Sequence, residues 1–423
     1  VRHLLTERRK DRLATALIRT GGVLVIVVVA GIVISIGAEA VPLFQRATQG
    51  PLDVVTESDG VLAAGSDPRR EIVWVLDRGG TIRFHGSIGS SEKMISDLPA
   101  RVVAAVDHEI HGLLTAITED GTAMVGRLLF RDSWQDGLRT TTARWHPAAD
   151  SLPLGGEGWA GVTANSDDDG NLVLAAWTTR GELSLARWDG EDETWEQIST
   201  PQRLGNVRLV SVAEGLRGLA VVSGDGSLKV LRWPSLDEVS VVGVDPPIAA
   251  VRFLIGGGTL VAAGEDGSVR VLLEVPRLRV ENRGQQPLEL AGVTVRPGEA
   301  TVVRDDEISQ RLSMRPDVTL ANAPSQWTVV RTAPSVPSAP TIIAPESRRR
   351  GFAIGTDDGW VGLYYSTSGR RLLNARWGAG PVTALAIDPK GDGAVVGVGD
   401  AVLRRAIDNP HPEISFRTLF LPV

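Results

Sequence analysis

The 423 residues include no cysteine, two tyrosines, three methionines and six histidines. Without Cys the chain forms no disulfide, no thiolate zinc or iron–sulfur site, and offers no Cys nucleophile. That composition suits an extracytoplasmic chain that avoids oxidative chemistry. Aromatic residues amount to 5%, yet 11 of them are Trp, and Lys is rare enough that nearly all positive charge is Arg. There is no basic excess either: 44 Lys and Arg stand against 51 Asp and Glu, a net charge of −7, which argues against a general nucleic-acid binder. With 43% hydrophobic and 22% charged residues, the chain is neither collagen-like nor wholly disordered. The length allows two or three compact domains or one large β domain, and either buries a real core.

Long apolar runs are missing, with one exception. Thr20 to Ala38 is 19 residues without a charge. As a helix it extends roughly 28 Å, close to the ~30 Å hydrocarbon core of a bilayer. Residues 1–44 carry a net +3, from Arg2, Arg8, Arg9, Lys10, Arg12 and Arg19 against Glu7, Asp11 and Glu39, so the remaining residues carry −10. A basic flank before an apolar run predicts a cytoplasmic N-terminus (1–19), a transmembrane helix (20–44) and the bulk of the chain outside the membrane. The competing reading is a cleaved signal peptide, because Ala38-Glu39-Ala40 fits the small-x-small cleavage pattern; the apolar run is longer than the usual h-region of ~7–15 residues. Gly31 and Ser35 form a small-xxx-small pair suited to packing against another membrane helix.

After Phe44 the apolar runs are short and alternating, and no long amphipathic helix is predicted. One unit recurs instead, a β run, an acidic-Gly turn and a second β run, as in LLTAITEDGTAMVGRL from Leu113 and TLVAAGEDGSVRVLLE from Thr259. Asp-Gly between alternating runs is a strong hairpin signal, since Gly takes φ > 0 with no Cβ clash. Successive turn glycines, Gly80, Gly121, Gly181, Gly226, Gly267, Gly359 and Gly399, are spaced 41, 60, 45, 41, 92 and 40 residues apart. A hairpin repeating near 41 residues predicts an all-β, WD40-like propeller over residues 45–410, of about seven blades. Trp188 and Trp233, each seven residues after its turn glycine, support the register. A β-sandwich is the alternative, but it lacks a long period. The wide gaps mark insertions near 122–171 and 275–347. The second is either an eighth, degenerate blade or an excursion, and it ends in a Pro-rich stretch that reads as an extended connector.

Motifs of chemistry are weak. Asn165 to Gly170 imitates the start of a calcium loop, but Ala176 stands where a bidentate Glu is needed, so a solvated turn is expected. His108-Glu109-Ile110-His111, with Asp107 before it, lacks the helical H-E-x-x-H spacing and reads as an inter-strand loop. Ser90 to Lys93 matches S-x-x-K without the partner motifs that give it chemistry. No P-loop is present. The Arg348-Arg349-Arg350 run is a candidate partner contact; its alternative is a solvated blade edge that discourages edge pairing. No catalytic residue, metal ligand or cofactor is predicted.

Two stretches suggest a family. RRKDRLATALIRTGGVLVIVVVAGIVISIGAEAVPLF (8–44) and GPVTALAIDPKGDGAVVGVGDAVLRRAIDNPHPEISFRTLF (380–420) together resemble the long form of the phosphate ABC transporter permease, the PstC-type subunit. The landmarks are Ala38 to Phe44 and Asn409 to Ser415. The resemblance implies a single-pass segment of the bacterial inner membrane with a periplasmic propeller, and residues 411–423 as a linker toward a permease domain. It implies a second permease subunit, an ATPase subunit and a periplasmic phosphate-binding protein as partners. It covers the ends of the chain, and no substrate-contacting position of a permease domain lies in this sequence, so a fragment is expected. A stand-alone anchored scaffold of the envelope is the alternative. A propeller enzyme is disfavoured, because the acids cluster at hairpin tips where turn chemistry explains them.

Overall fold

The computed structural model describes residues 20–32, 34 and 47–408, apart from 59, 87–93, 109–111, 136–137, 200–203, 243–244, 291, 309–311, 313, 349 and 390–391. A compact unit spans Gln49–Ile407. The predicted cytoplasmic residues 1–19, the tail 411–423 and the S-x-x-K motif at Ser90 lie outside the described residues.

Seven antiparallel sheets, each of four or five strands, are arranged around one axis. Their innermost strands are Val61–Ser66, Val102–His108, Trp159–Ser166, Val207–Val212, Ile248–Phe253, Pro340–Pro345 and Val382–Ile387. Each contacts the next and the last contacts the first, so the ring closes. The chain is a seven-bladed β-propeller. Blades 1 to 7 follow the order of these innermost strands, and within each blade strands A to D run outward. Blade 7 is completed by the segment Thr48–Glu57, which lies outside Ala401–Asp408. The first and last parts of the unit therefore share one sheet.

All seven turn glycines of the repeat lie between strands B and C, with φ from 57° to 87°. Two of them show a second constraint. A Cβ on Gly267 would come within 2.3 Å of the Val336 carbonyl oxygen, and one on Gly359 within 2.2 Å of that of Gly378. Each turn lies against the connection into the next blade, where Val336 N–H donates to Gly267 O at 3.0 Å and Trp377 N–H to Gly359 O at 2.9 Å. The adjoining acids serve the same turns. Asp225 accepts from Ser227 N–H at 2.9 Å and Asp266 from Ser268 N–H at 2.8 Å. Hydrogen bonds from Ser227 and Ser268 hold these two carboxyls below the usual Asp range.

The core lies between blades. Val, Leu and Ala from strands A and B of one blade meet strands B and C of its neighbour, as where Leu113, Ile117 and Val125 of blade 2 pack on Val162, Leu172 and Leu174 of blade 3. Each large aliphatic side chain so buried contributes about 1.5–3 kcal/mol. Aromatic residues fill the wider outer spaces: Phe84 against Phe130 at 6.3 Å and Trp188 against Trp195 at 5.4 Å between centroids.

Two expectations change. The region 275–347 is not an eighth blade. Its strands Val269–Asn282 and Val318–Ala333 are strands C and D of blade 5, prolonged into a ribbon that Ala300–Arg304 joins as a third strand. A small core of Val280, Leu288, Leu290, Val295, Val303 and Leu312 supports it. The Pro-rich stretch is not wholly a connector, because Pro340–Pro345 is the innermost strand of blade 6. Pro is tolerated there because that strand is a sheet edge, with N–H positions that need no ladder partner. Of the predicted membrane helix, only part is described. The described helical stretch, 20–32, is about 20 Å long at 1.5 Å per residue, and no helix among the described residues is long and apolar enough to cross a membrane. Residues 33 and 35–44 of the predicted span lie outside the described residues.

Candidate docking face and central channel

Antiparallel strand order fixes which loops share a face. Connections A–B and C–D lie at one end of every blade, and B–C and D–A at the other. Both insertions grow from C–D connections. In blade 2, strand C (Thr122–Gln135) runs past the sheet and returns as Leu138–Pro147, paired from Gly126↔Pro147 to Gln135↔Leu138. In blade 5 the ribbon described above does the same. The two extensions therefore rise from one face, and in a ring of seven, blades 2 and 5 stand on opposite sides of the channel.

The blade 2 hairpin is fastened to the A–B loop of blade 1 by two ion pairs, Arg69 with Asp132 and Arg139 with Glu71. Thr141 Oγ1–H also donates to Asp132 at 2.8 Å, and with the Arg69 and Arg139 guanidinium charges it holds that carboxyl below its usual range. Near its tip Trp134 is 72% exposed. In the blade 5 extension Met314 is 78% exposed. An indole held in water on an anchored hairpin is the residue type that dominates protein–protein contacts.

Arg348 and Arg350 sit on the A–B loop of blade 6, on the same face. The loop is held by its main chain: Arg350 O accepts from Ser366 N–H at 2.9 Å and Oγ–H at 2.7 Å. Both side chains are exposed, and neither forms an ion pair among the described residues. Arg349 lies outside the described residues. Next to them, Ser347 lines a cavity of 140 Å³ at the channel mouth with Ser66, Trp74, Phe130, Ile387 and Asp107.

Deeper in, the channel narrows to a cavity of 60 Å³ walled by Leu62, Ala105, Ile342 and Leu385, with Asp107 again and Arg252. Arg252 Nη2–H, from blade 5, donates to the Asp107 carbonyl oxygen of blade 2 at 2.7 Å. The Asp107 carboxyl keeps partial access to the channel but is surrounded by protein. Burial pushes it up to about 7, against the pull of the Arg252 charge. In blade 7 Asp388 is 2% exposed and accepts from Ser66 Oγ–H at 2.6 Å; burial raises it as well.

The weak motifs resolve into local structure. Asn165 is the penultimate residue of strand A of blade 3, and its Nδ2–H donates to Val212 O at 3.3 Å. Asp167 accepts from Asp169 N–H at 3.1 Å and Asn171 N–H at 2.9 Å, an A–B turn. His108 ends strand A of blade 2, and 109–111 lie outside the described residues. No group of three or more His, Asp or Glu among the described residues is placed to hold a metal. Sequence reasoning missed Trp134 and the Arg252–Asp107 tie. A charged residue inside the alternating run IAAVRF was the available signal for the second.

No family model and no curated protein matches the chain. Among solved structures it is similar to the crystal structure of RRP9 WD40 repeats, at 13% identity and a TM-score of 0.50, over 86% of this chain and 99% of that one. The likeness is one of fold, a WD40 propeller.

Proposed function

We propose that the chain is the membrane-anchored, periplasmic part of a phosphate ABC transporter permease subunit, with its propeller as a non-catalytic docking module. ATP hydrolysis belongs to a separate subunit in this reading, and no cofactor takes part. The observation that carries the docking role is the shared face of the two insertions, with Trp134 exposed on a hairpin that two ion pairs fasten down. The A–B loop with Arg348 and Arg350, neither in an ion pair among the described residues, adds positive charge to that face. Partners are the periplasmic phosphate-binding protein, the second permease subunit and the ATPase subunit, as the resemblance of residues 8–44 and 380–420 implies.

Anchoring is supported by the apolar helical stretch itself. From Val23 to Ile32, and at Ile34, its large apolar side chains are 53–70% exposed, which costs free energy in water and not in lipid. The test is site-specific photocrosslinking in cells, with the crosslinker at position 134 of the full chain. Adducts with the phosphate-binding protein or a permease subunit are expected. Adducts at no more than the level given by a crosslinker on the opposite face, at Arg180, sink the docking role. Release of the full chain by alkaline carbonate sinks the anchor.

A further inference from the structure

The seam between blades 7 and 1 differs from those between blades 1 and 2 and between blades 4 and 5. Its apolar core ends at Val55 of the closing strand, where those two interfaces place aromatic rings. Outside that core lies an open groove of 680 Å³ with predominantly polar walls. That volume falls within the ~300–1,000 Å³ of sites for small organic ligands.

The groove is built around a fixed guanidinium. Asp77, with its side chain 8% exposed, accepts from Thr81 N–H at 3.1 Å and pairs with Arg83 Nη1 at 2.8 Å. The same Nη1–H donates to Ser58 Oγ at 3.0 Å. Arg83 is thereby held at two points, while its Nε–H and Nη2–H groups take no partner among the described residues. Arg78 lines the same wall. Its main chain is pinned on both sides, by Arg78 N–H to Gly60 O at 3.1 Å and Val102 N–H to Arg78 O at 3.0 Å. Its stem crosses Gly60, where a Cβ would come within 2.8 Å of Arg78 Cδ. The Arg78 guanidinium is exposed and has no partner among the described residues. Two guanidiniums with free N–H donors on one concave wall fit a carboxylate, which accepts two parallel hydrogen bonds from such a fork.

Glu57 also lines the groove and bears no ion pair among the described residues, which disfavours a bare anion and favours a ligand with an amine or other donor at its far end. Ile95, 55% exposed, gives the groove an apolar patch. We propose that the blade 7–blade 1 groove binds a short peptide with a free C-terminal carboxylate, the carboxylate on Arg78 and Arg83 and the amino end toward Glu57. This inference does not rest on the membrane reading.

The test is calorimetric titration of the full chain in detergent with the peptide Ala-Ala-Leu, the same peptide C-terminally amidated, and inorganic phosphate. Saturable binding of the free peptide is expected. Amidation and Arg78→Ala are each expected to weaken it about tenfold or more, the worth of a charge-assisted hydrogen bond. Arg83→Lys, which keeps the charge and removes the fork, is expected to weaken it too. Arg78→Ala alters an exposed side chain outside every core cluster, so its thermal midpoint should match wild type, and it carries the test alone if Arg83→Lys does not fold. No saturation by the free peptide, equal binding after amidation, or equal binding by Arg78→Ala overturns the proposal. So does phosphate binding as tightly as the peptide, since that leaves Glu57 no part in selection.

Discussion

Arg252 of blade 5 reaches across the central channel and donates to the main-chain oxygen of Asp107 in blade 2, at 2.7 Å. The two blades are not neighbours in the ring, so the contact ties opposite walls. It also places a guanidinium beside a carboxyl that burial pushes up to about 7.

The first prediction concerns that carboxyl. A folded value above the unfolded Asp value of ~3.9 means that the native state holds the proton more tightly. The contribution to stability is then full below pH ~4 and is lost as pH rises toward 7, at up to about 1.4 kcal/mol per pH unit. Asp107→Asn should remove this slope. Urea titrations at pH 4 and pH 8 check it, by comparing how far each protein's stability changes between the two. The account fails if wild type and variant lose the same amount between pH 4 and pH 8.

Arg252→Ala should destabilise the propeller by about 1–3 kcal/mol, because the Asp107 carbonyl and carboxyl lose a charged partner in a buried place. Chemical denaturation measures it. Arg252→Lys should recover part of the loss through its charge, without matching the reach of the guanidinium.

Gly267→Ala should be among the costlier single changes. The residue has φ of 81°, and a Cβ would meet the Val336 oxygen at 2.3 Å. Strain and the clash together are expected to cost more than ~1 kcal/mol. Gly292→Ala, at φ 79° with open space around it, isolates the backbone part. The difference in thermal midpoint between the two variants reports the packing part, and equal midpoints would remove it from the explanation.

Asn282 is fully buried in the blade 5 extension. Its Nδ2 donates to Gln286 O at 2.9 Å and Val295 O at 2.8 Å, and its Oδ1 accepts from Gly284 N–H at 3.0 Å. Asn282→Ala strands those carbonyls and should loosen the extension by about 1–3 kcal/mol while the blades hold. Hydrogen exchange checks it: faster exchange confined to 275–326 is expected, and uniform acceleration across all blades speaks against a separately supported extension.

Trp134→Ala should leave stability within about 0.5 kcal/mol of wild type, because the indole is 72% exposed and outside the core clusters. If the thermal midpoint falls further, the indole is a folding element and its case as a contact residue weakens.

The blades were legible because their signal is local. Each B–C turn needs a residue with positive φ, and Gly at a period near 41 marks that need in the sequence itself. The blade 5 ribbon was less legible, because a prolonged strand and an added blade have the same alternation, and only the pairing of Val269–Asn282 with Val318–Ala333 separates them. Pro340–Pro345 was read as a connector because propensity alone cannot show that a strand is an edge. The Arg252–Asp107 contact joins residues 145 apart, and its geometry exists only once the ring has closed. Arg348 was singled out by charge, while Trp134 carried no motif.

The closing strand has a mechanical consequence. Thr48–Glu57 runs antiparallel to Ala401–Asp408, with Gly50 against Ala406, so the chain enters and leaves the propeller at adjacent points. Tension applied through those two points loads the pair from one end. Its hydrogen bonds then open one after another, as in a zipper, instead of sharing the load as in shear. Under such tension blade 7 is the first to peel, and the other six blades feel the load only after its outer strand has gone.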